Sequence, residues 1–229
     1  ESTSRTRLGL PNHQQALLDR LAATGRPIVL VTLAGRPMVM VEAWPKAKAV
    51  VYAFSPGTMG ARALVDVLTG EANPSGRLPM SLPRAVGQLP LSYDVLPTGR
   101  PPSPGDDLAA RYVDEAVTPF LPFGHGLSYT TFAYEDLCLS AARGGPHDTV
   151  TASGTVRNTG PRVGREIVQL YVHDPVASRS RPLRRLKGVA RVDLAPGEAK
   201  RVEIELPVDE LAFADDEGRR VLEVGRFDV

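Results

Sequence analysis

The chain holds a single cysteine, Cys138, and so can form neither an internal disulfide nor a cysteine-based metal cluster. It also lacks an excess of either charge. Against 27 Lys and Arg stand 26 Asp and Glu, a formal net charge of +1, which removes the electrostatic case for nucleic acid or an anionic surface. No run approaches the roughly 18 to 20 apolar residues that a spanning helix needs, so no membrane segment is expected. The first residues show no Met, no charged n-region and no apolar h-region. No signal peptide is therefore expected, and Glu1 reads as an internal residue of a longer protein. Histidine is scarce and scattered, at His13, His125, His147 and His173, and no serine sits in a Gly-x-Ser-x-Gly elbow. Zinc chemistry and hydrolase triads are unsupported, and no metal or cofactor is expected.

What remains is an ordinary globular composition, 42% hydrophobic and 23% charged over 229 residues, with unusually many turn formers, 21 Gly and 21 Pro. Residues 12–24 start after Pro11, place Leu17, Leu18 and Leu21 at helical spacing, and stop at Gly25, which predicts an amphipathic helix. Residues 27–33, PIVLVTL, read as a strand covered on both faces, and residues 49–54, AVVYAF, as a second. A helix from about Thr58 to Leu68 follows, ended by Gly70. Helix, strand, strand, helix at these lengths implies part of an α/β layer with parallel strands, too small to be a complete sheet.

Eight prolines fall between Asn73 and Pro104, interleaved with Leu78, Met80, Leu82, Leu89, Leu91 and Tyr93. That pattern predicts an ordered linker pinned by its apolar residues. After Thr131 the period becomes two, in TVTASGTVRN (149–158), EIVQLYV (166–172) and RVEIEL (201–206), with turn signals at 158–160 and 195–198. Short strands with Gly/Pro turns over such a length indicate an antiparallel β-sandwich. The expected divisions are 1–83 for the α/β part, 84–130 for the linker and 131–229 for the sandwich.

Candidate chemistry is sparse at this level. Gly57-Thr58-Met59-Gly60 follows a strand and opens a helix, yet neither a dinucleotide fingerprint nor a Gly-Lys-Ser/Thr follows, so a structural turn is the better reading. Asp106-Asp107, Asp114-Glu115 and Asp215-Asp216-Glu217 lie in polar, turn-like settings where solvated charge is the default. Composition alone does not single out any acid.

Four collinear motifs carry a resemblance. They are Gly35-Arg36-Pro37 with its apolar continuation, PGTMGARALVDVLTGEANPSGRLPMSLPR (56–84), PFLPFGHGLSYTTF (119–132), and VRNTG (156–160) followed by VQLYV (168–172). The stretch SRPLRRLKGVARVDLAPGE (180–198) adds to them. Together they resemble the C-terminal portion of glycoside hydrolase family 3, in its bacterial periplasmic-type β-glucosidase branch. The resemblance implies the end of an (α/β)6 sandwich domain, a proline-rich linker and a fibronectin type III-like β-sandwich whose last strand is cut short. A (β/α)8 barrel carrying the nucleophilic aspartate would be a separate domain or chain. His125, Phe54-Ser55 and Ala214 depart from the family pattern at positions that read as packing sites.

The same resemblance gives Glu1 a role. The family's general acid/base glutamate lies in a Glu-x-x-x-Arg pattern ahead of Leu/Ile-Pro-x-x-Gln, and Glu1, Arg5, Leu10-Pro11 and Gln14 match that spacing. A solvated glutamate is the competing reading. Arg5 either orients Glu1 or anchors its loop. Trp44 is open to sugar stacking or burial, and Arg111 and Tyr112 to a site rim or linker packing. The implied activity is retaining, exo-acting hydrolysis of a β-linked glucoside or oligosaccharide, with a β-xyloside or arabinoside as the alternative sugar. A non-catalytic carbohydrate-binding or scaffold module is the reading from another class. No nucleic acid or membrane partner is expected, and a homo-oligomer is allowed.

Overall fold

A computed structural model of the chain describes residues 5–101 and 108–229. The chain divides into two compact units, the first built from residues 1–72, 78–93 and 100–125, the second from 73–77, 94–99 and 126–229.

The first unit opens with α1 (Asn12–Ala22). Its end is set by Gly25 in the left-handed region at φ 72°, as the glycine stop signal predicts. β1 (Val29–Thr32) and β2 (Ala49–Tyr52) pair in parallel, register Val29 to Ala49, and α2 (Gly60–Thr69) ends on Gly70 at φ 81°. The expected parallel pair is thus present, but the expectation that β1 is covered on both faces is corrected. Val29 and Leu33 stay 53% and 64% exposed, because among the described residues the sheet has two strands and no third strand covers them. The apolar stripe of α1 is likewise only partly used: Leu18 is buried, while Leu17 and Leu21 are exposed. The core of this unit gathers Leu18, Met38, Met40 and Ala43, with Ile28, Leu30, Trp44, Tyr52 and Phe120 against it.

The proline-rich stretch is ordered without long regular elements, as its composition predicts. Leu82 is fully buried and bridges Leu121, with Leu82 N–H donating to Leu121 O at 2.8 Å. Leu78 and Gly124–His125 exchange backbone hydrogen bonds of 2.8 Å, and Tyr93 stacks on Phe123 with ring centres 4.1 Å apart. Gln88, itself buried, takes the Arg84 N–H at 2.6 Å and gives its amide to Ala116 O at 2.8 Å.

The second unit is the antiparallel sandwich. One sheet is β3 (Phe132–Leu139), β4 (Thr149–Asn158) and β7 (Ala199–Pro207), the other β5 (Gly164–Val172) and β6 (Arg185–Leu194). A small ribbon pairs β8 (Phe213–Ala214) with β9 (Arg220–Val221). Period-two alternation sends Val156, Val168, Val192, Leu194 and Val202 into one core cluster, and Val150, Leu170, Val172 and Leu206 into another, which Leu211 joins from the short 3-10 turn after β7. Burying each such side chain contributes about 1.5–3 kcal/mol. β3 breaks register between Glu135 and Cys138, where Asp136 takes φ 53°, a bulge that turns Leu137 out to solvent. Just after β5, His173 and Asp228 exchange backbone hydrogen bonds of 2.9 Å as an isolated antiparallel bridge.

Two buried polar groups fix the sandwich. The Asn158 side chain accepts from Thr130 Oγ1 (2.6 Å) and Gly160 N–H (3.1 Å) and donates to Arg162 O (2.7 Å) and Leu194 O (3.0 Å), so its amide is satisfied on both atoms. Arg77 donates through Nη2 to both oxygens of Glu166, and Tyr134 Oη donates to the same carboxylate at 2.8 Å. Burial, and then the adjacent Glu166 carboxylate, push the Tyr134 phenol far above its ordinary range.

Candidate functional site

Glu1 lies outside the described residues, as do Asp106 and Asp107. What the structure shows is the segment that follows Glu1 and the loops that hold it.

Residues 5–11 run into α1 without a helix or strand of their own, so their path is set by contacts with other elements. Leu8 is buried, and its carbonyl accepts the Val39 N–H at 3.1 Å. Arg5 is exposed, and its guanidinium donates to Gly9 O at 3.4 Å, four residues along its own loop. Arg36 reaches the same segment from the loop after β1: its Nη2 donates to the carbonyls of Arg5 and of Arg7, the latter at 3.4 Å.

Arg36 is itself fixed from the sheet. Tyr52, the last residue of β2, donates its hydroxyl to Arg36 O at 2.7 Å. Desolvation pushes that phenol above its ordinary value of 10.0, so it stays a hydrogen-bond donor across the physiological range. The Ala34 N–H donates to Phe54 O at 3.1 Å, tying the loop after β1 to the loop after β2. Phe54 adopts φ 50°, a conformation that non-glycine residues rarely take, and its ring lies 4.7 Å from that of Tyr52. These loops leave the carboxyl ends of two parallel strands, the edge of an α/β sheet where ligands characteristically bind.

A hollow of about 940 Å³ runs along α1 and β1, with Arg5 and Arg36 among residues such as Leu10, Gln14, Leu17, Val29 and Leu33. Its lining is dominated by aliphatic side chains, which suits packing against another apolar surface better than recognition of a sugar.

The other singled-out residues fall elsewhere. Trp44, partly buried, sits edge-on to Phe120, ring centres 5.4 Å apart, and packs on the first unit's core. Arg111 and Tyr112 are exposed. Gly57, at φ 73°, makes the turn read from sequence. A Cβ on Gly60 would lie 2.6 Å from Pro56. Asp215 caps its own turn, accepting from Glu217 N–H and Arg219 N–H at 3.0 and 2.8 Å. Among the described residues no group of His, Cys, Asp and Glu could hold a metal ion.

The sequence pattern of the glycosyl hydrolase family 3 C-terminal domain matches residues 1–129, and that of the fibronectin type III-like domain matches residues 166–229. The chain belongs to glycosyl hydrolase family 3. Within this family it is 44% identical over 231 residues to a protein named periplasmic β-glucosidase from Salmonella typhimurium, covering all of this chain and 30% of the relative. It is 37% identical over 233 residues to a β-xylosidase of Formosa agariphila, covering all of this chain and 31% of that one. The chain thus spans about a third of the length of these relatives. Among solved structures, the β-glucosidase of Listeria innocua in complex with isofagomine superposes with a TM-score of 0.93 at 34% identity, over 98% of this chain and 32% of the other. A β-glucosidase from Erythrobacter marinus gives 0.90 at 39% identity, over 98% and 29%.

Sequence reasoning singled out Arg5 but not Arg36 and Tyr52. Arg36 stood in the Gly-Arg-Pro motif that carried the resemblance, yet nothing local shows that its guanidinium reaches back 31 residues to the segment after Glu1.

Proposed function

We propose that this chain is the C-terminal portion of a retaining, exo-acting β-glycosidase, a β-glucosidase first of all. Glu1 serves as general acid/base, and the nucleophilic aspartate comes from a (β/α)8 barrel elsewhere in the assembled enzyme. The observation that carries the reading is the match of the whole chain, at 44% identity, to a relative named as a β-glucosidase. The Glu1-x-x-x-Arg5, Leu10-Pro11 and Gln14 spacing supports the choice of acid.

The chemistry needs two carboxyl groups with opposite duties. In a retaining glycosidase they stand about 5–5.5 Å apart: one attacks the anomeric carbon, while the other protonates the departing oxygen and then deprotonates the incoming water. The proton donor must be neutral in the free enzyme and ionised in the glycosyl-enzyme, a switch driven by the nucleophile's charge, which is neutralised when the covalent bond forms. Taking the two carboxyls from different domains makes their separation depend on the loop that carries Glu1. Alone, the chain lacks the nucleophile and is expected to hydrolyse nothing.

In the full-length enzyme, Glu1→Ala is expected to lower kcat/KM for a β-glucoside with a poor leaving group by about 10²–10⁴-fold, the usual worth of a positioned acid. A 2,4-dinitrophenyl glucoside should be much less affected at this first step, and azide should restore its turnover by replacing the deprotonated water. Unchanged turnover on both substrates would remove Glu1 from the mechanism.

The full-coverage match to a β-xylosidase supports a pentoside as the second reading of the sugar. The ratio of kcat/KM for aryl β-glucoside and aryl β-xyloside decides between them.

A further inference from the structure

We infer that Arg36 is a positioning residue for the acid/base glutamate, holding residues 5–7, which follow Glu1 in the chain, to the end of the parallel pair. The inference rests on the reading of Glu1 given above. Residues 5–11 have no regular structure to hold them, so the segment's path is fixed from outside. Leu8 supplies one anchor, through burial and the Val39 N–H. Arg36 supplies the anchor nearer Glu1, with one guanidinium nitrogen donating to the carbonyls of Arg5 and Arg7. Arg5 is only four residues from Glu1, at most about 14 Å of extended chain.

The donor chemistry fits this duty. A guanidinium is planar and permanently charged, and its terminal nitrogen carries two N–H donors in a fixed plane, so one nitrogen can hold two carbonyls at less entropic cost than a lysine ammonium. Its own base does not drift, because Tyr52 on β2 holds the Arg36 carbonyl at 2.7 Å and the Ala34–Phe54 hydrogen bond of 3.1 Å joins the two loops. Hydrogen bonds thus run from β2 through Tyr52 and Arg36 to Arg5 and Arg7. A general acid works only within hydrogen-bond reach of the leaving oxygen, and a misplacement of about 1 Å costs on the order of 10²-fold. Loosening Arg36 should therefore weaken proton donation while leaving attack by the nucleophile intact.

The test compares Arg36→Met, Tyr52→Phe and Glu1→Ala in the full-length enzyme on two aryl glucosides, one with a poor and one with a good leaving group. Arg36→Met keeps the aliphatic stem and removes the guanidinium. It is expected to lower kcat/KM on the poor leaving group by about 10- to 100-fold and on the good one by no more than a few-fold. Azide should raise its turnover on the good leaving group, and Arg36→Lys should recover part of the loss. Tyr52→Phe should show the same selectivity more weakly, which keeps the test open if Arg36→Met does not fold. An equal loss on both substrates, or no loss on either, would overturn the inference. If Glu1→Ala shows the acid-deficient, azide-rescued signature and Arg36→Met lacks the leaving-group selectivity, the positioning role alone is wrong. If Glu1→Ala retains full turnover, both readings fall.

Discussion

The two units meet the demand for burial in different ways. In the sandwich, five strands in two sheets turn alternate side chains toward each other, and residues such as Val156 and Leu194 lose almost all contact with water. Among the described residues of the α/β unit one pair of strands forms a sheet, and Leu17, Leu21, Val29 and Leu33 keep large apolar surfaces exposed. Parallel sheets are normally covered on both faces. A pair of parallel strands with an open apolar side is a fragment of a layer, whereas two antiparallel sheets over a shared core are self-sufficient. The difference teaches that changes in the sandwich core should register as stability of this chain, and changes on the exposed apolar side of the α/β unit should not.

The largest effect expected within the sandwich is at its buried ion pair. Arg77→Met strands the Glu166 carboxylate, 8% exposed, with Tyr134 as its remaining side-chain donor among the described residues, and should destabilise by about 3–5 kcal/mol in denaturant unfolding. The double change Arg77→Met/Glu166→Gln should recover much of that loss. A single variant within 1 kcal/mol of the parent, by order of magnitude, would mean that the pair is solvated and the sandwich less self-contained than argued.

A smaller effect sharpens the contrast from the other side. Leu33→Lys should change the stability of the 229-residue chain by less than about 0.5 kcal/mol, since Leu33 is 64% exposed. In the full-length protein a cost above about 1 kcal/mol is the outcome expected of a surface that another layer covers. Equal, small effects in both would show that the open side of β1 faces water throughout.

The smallest effect is electrostatic. The Ala195 N–H and Lys200 hold the Glu198 carboxyl below its ordinary value of 4.5, and Arg165 holds Asp193 below 3.8. A depressed folded value stabilises the fold at neutral pH, and that stabilisation fades as the pH falls through the ordinary values toward the lower folded ones. Glu198→Gln should flatten the decline in Tm between about pH 6 and pH 3. A decline as steep as the parent's would assign the acid sensitivity to other groups.

How much of this was legible in the residues follows from range. The stops at Gly25 and Gly70, the parallel pair and the period-two strands are local patterns, and each produced its element. The linker's order was legible too, because Leu82 and Tyr93 recur among prolines. Features that depend on a distant partner were not. Arg77 and Glu166 are 89 residues apart, and Arg36 and Arg5 are 31 apart, so nothing near either member announces the pair. The positive φ of Phe54 is imposed by surrounding structure on a residue with no intrinsic preference for it, and that of Asp136, a residue type that tolerates it better, goes with the bulge in β3. The exposure of β1 was misread because a β-branched run looks the same whether or not a neighbour is present. Glu1 came only from resemblance, since an acid in a polar setting carries no local mark of its role.

Asn73 has one more consequence. Its side chain accepts from Ser128 Oγ (2.9 Å) and Tyr129 N–H (2.8 Å) and donates to Val163 O (2.8 Å), so the chain is clasped where it leaves for, and returns from, a 54-residue detour. Doubling the length of a flexible loop costs only about 0.6 kcal/mol once its ends are joined. The proline-rich interval can therefore gain or lose residues over evolutionary time while β3 keeps its starting point, one small amide letting the inserted stretch diversify over an unaltered base.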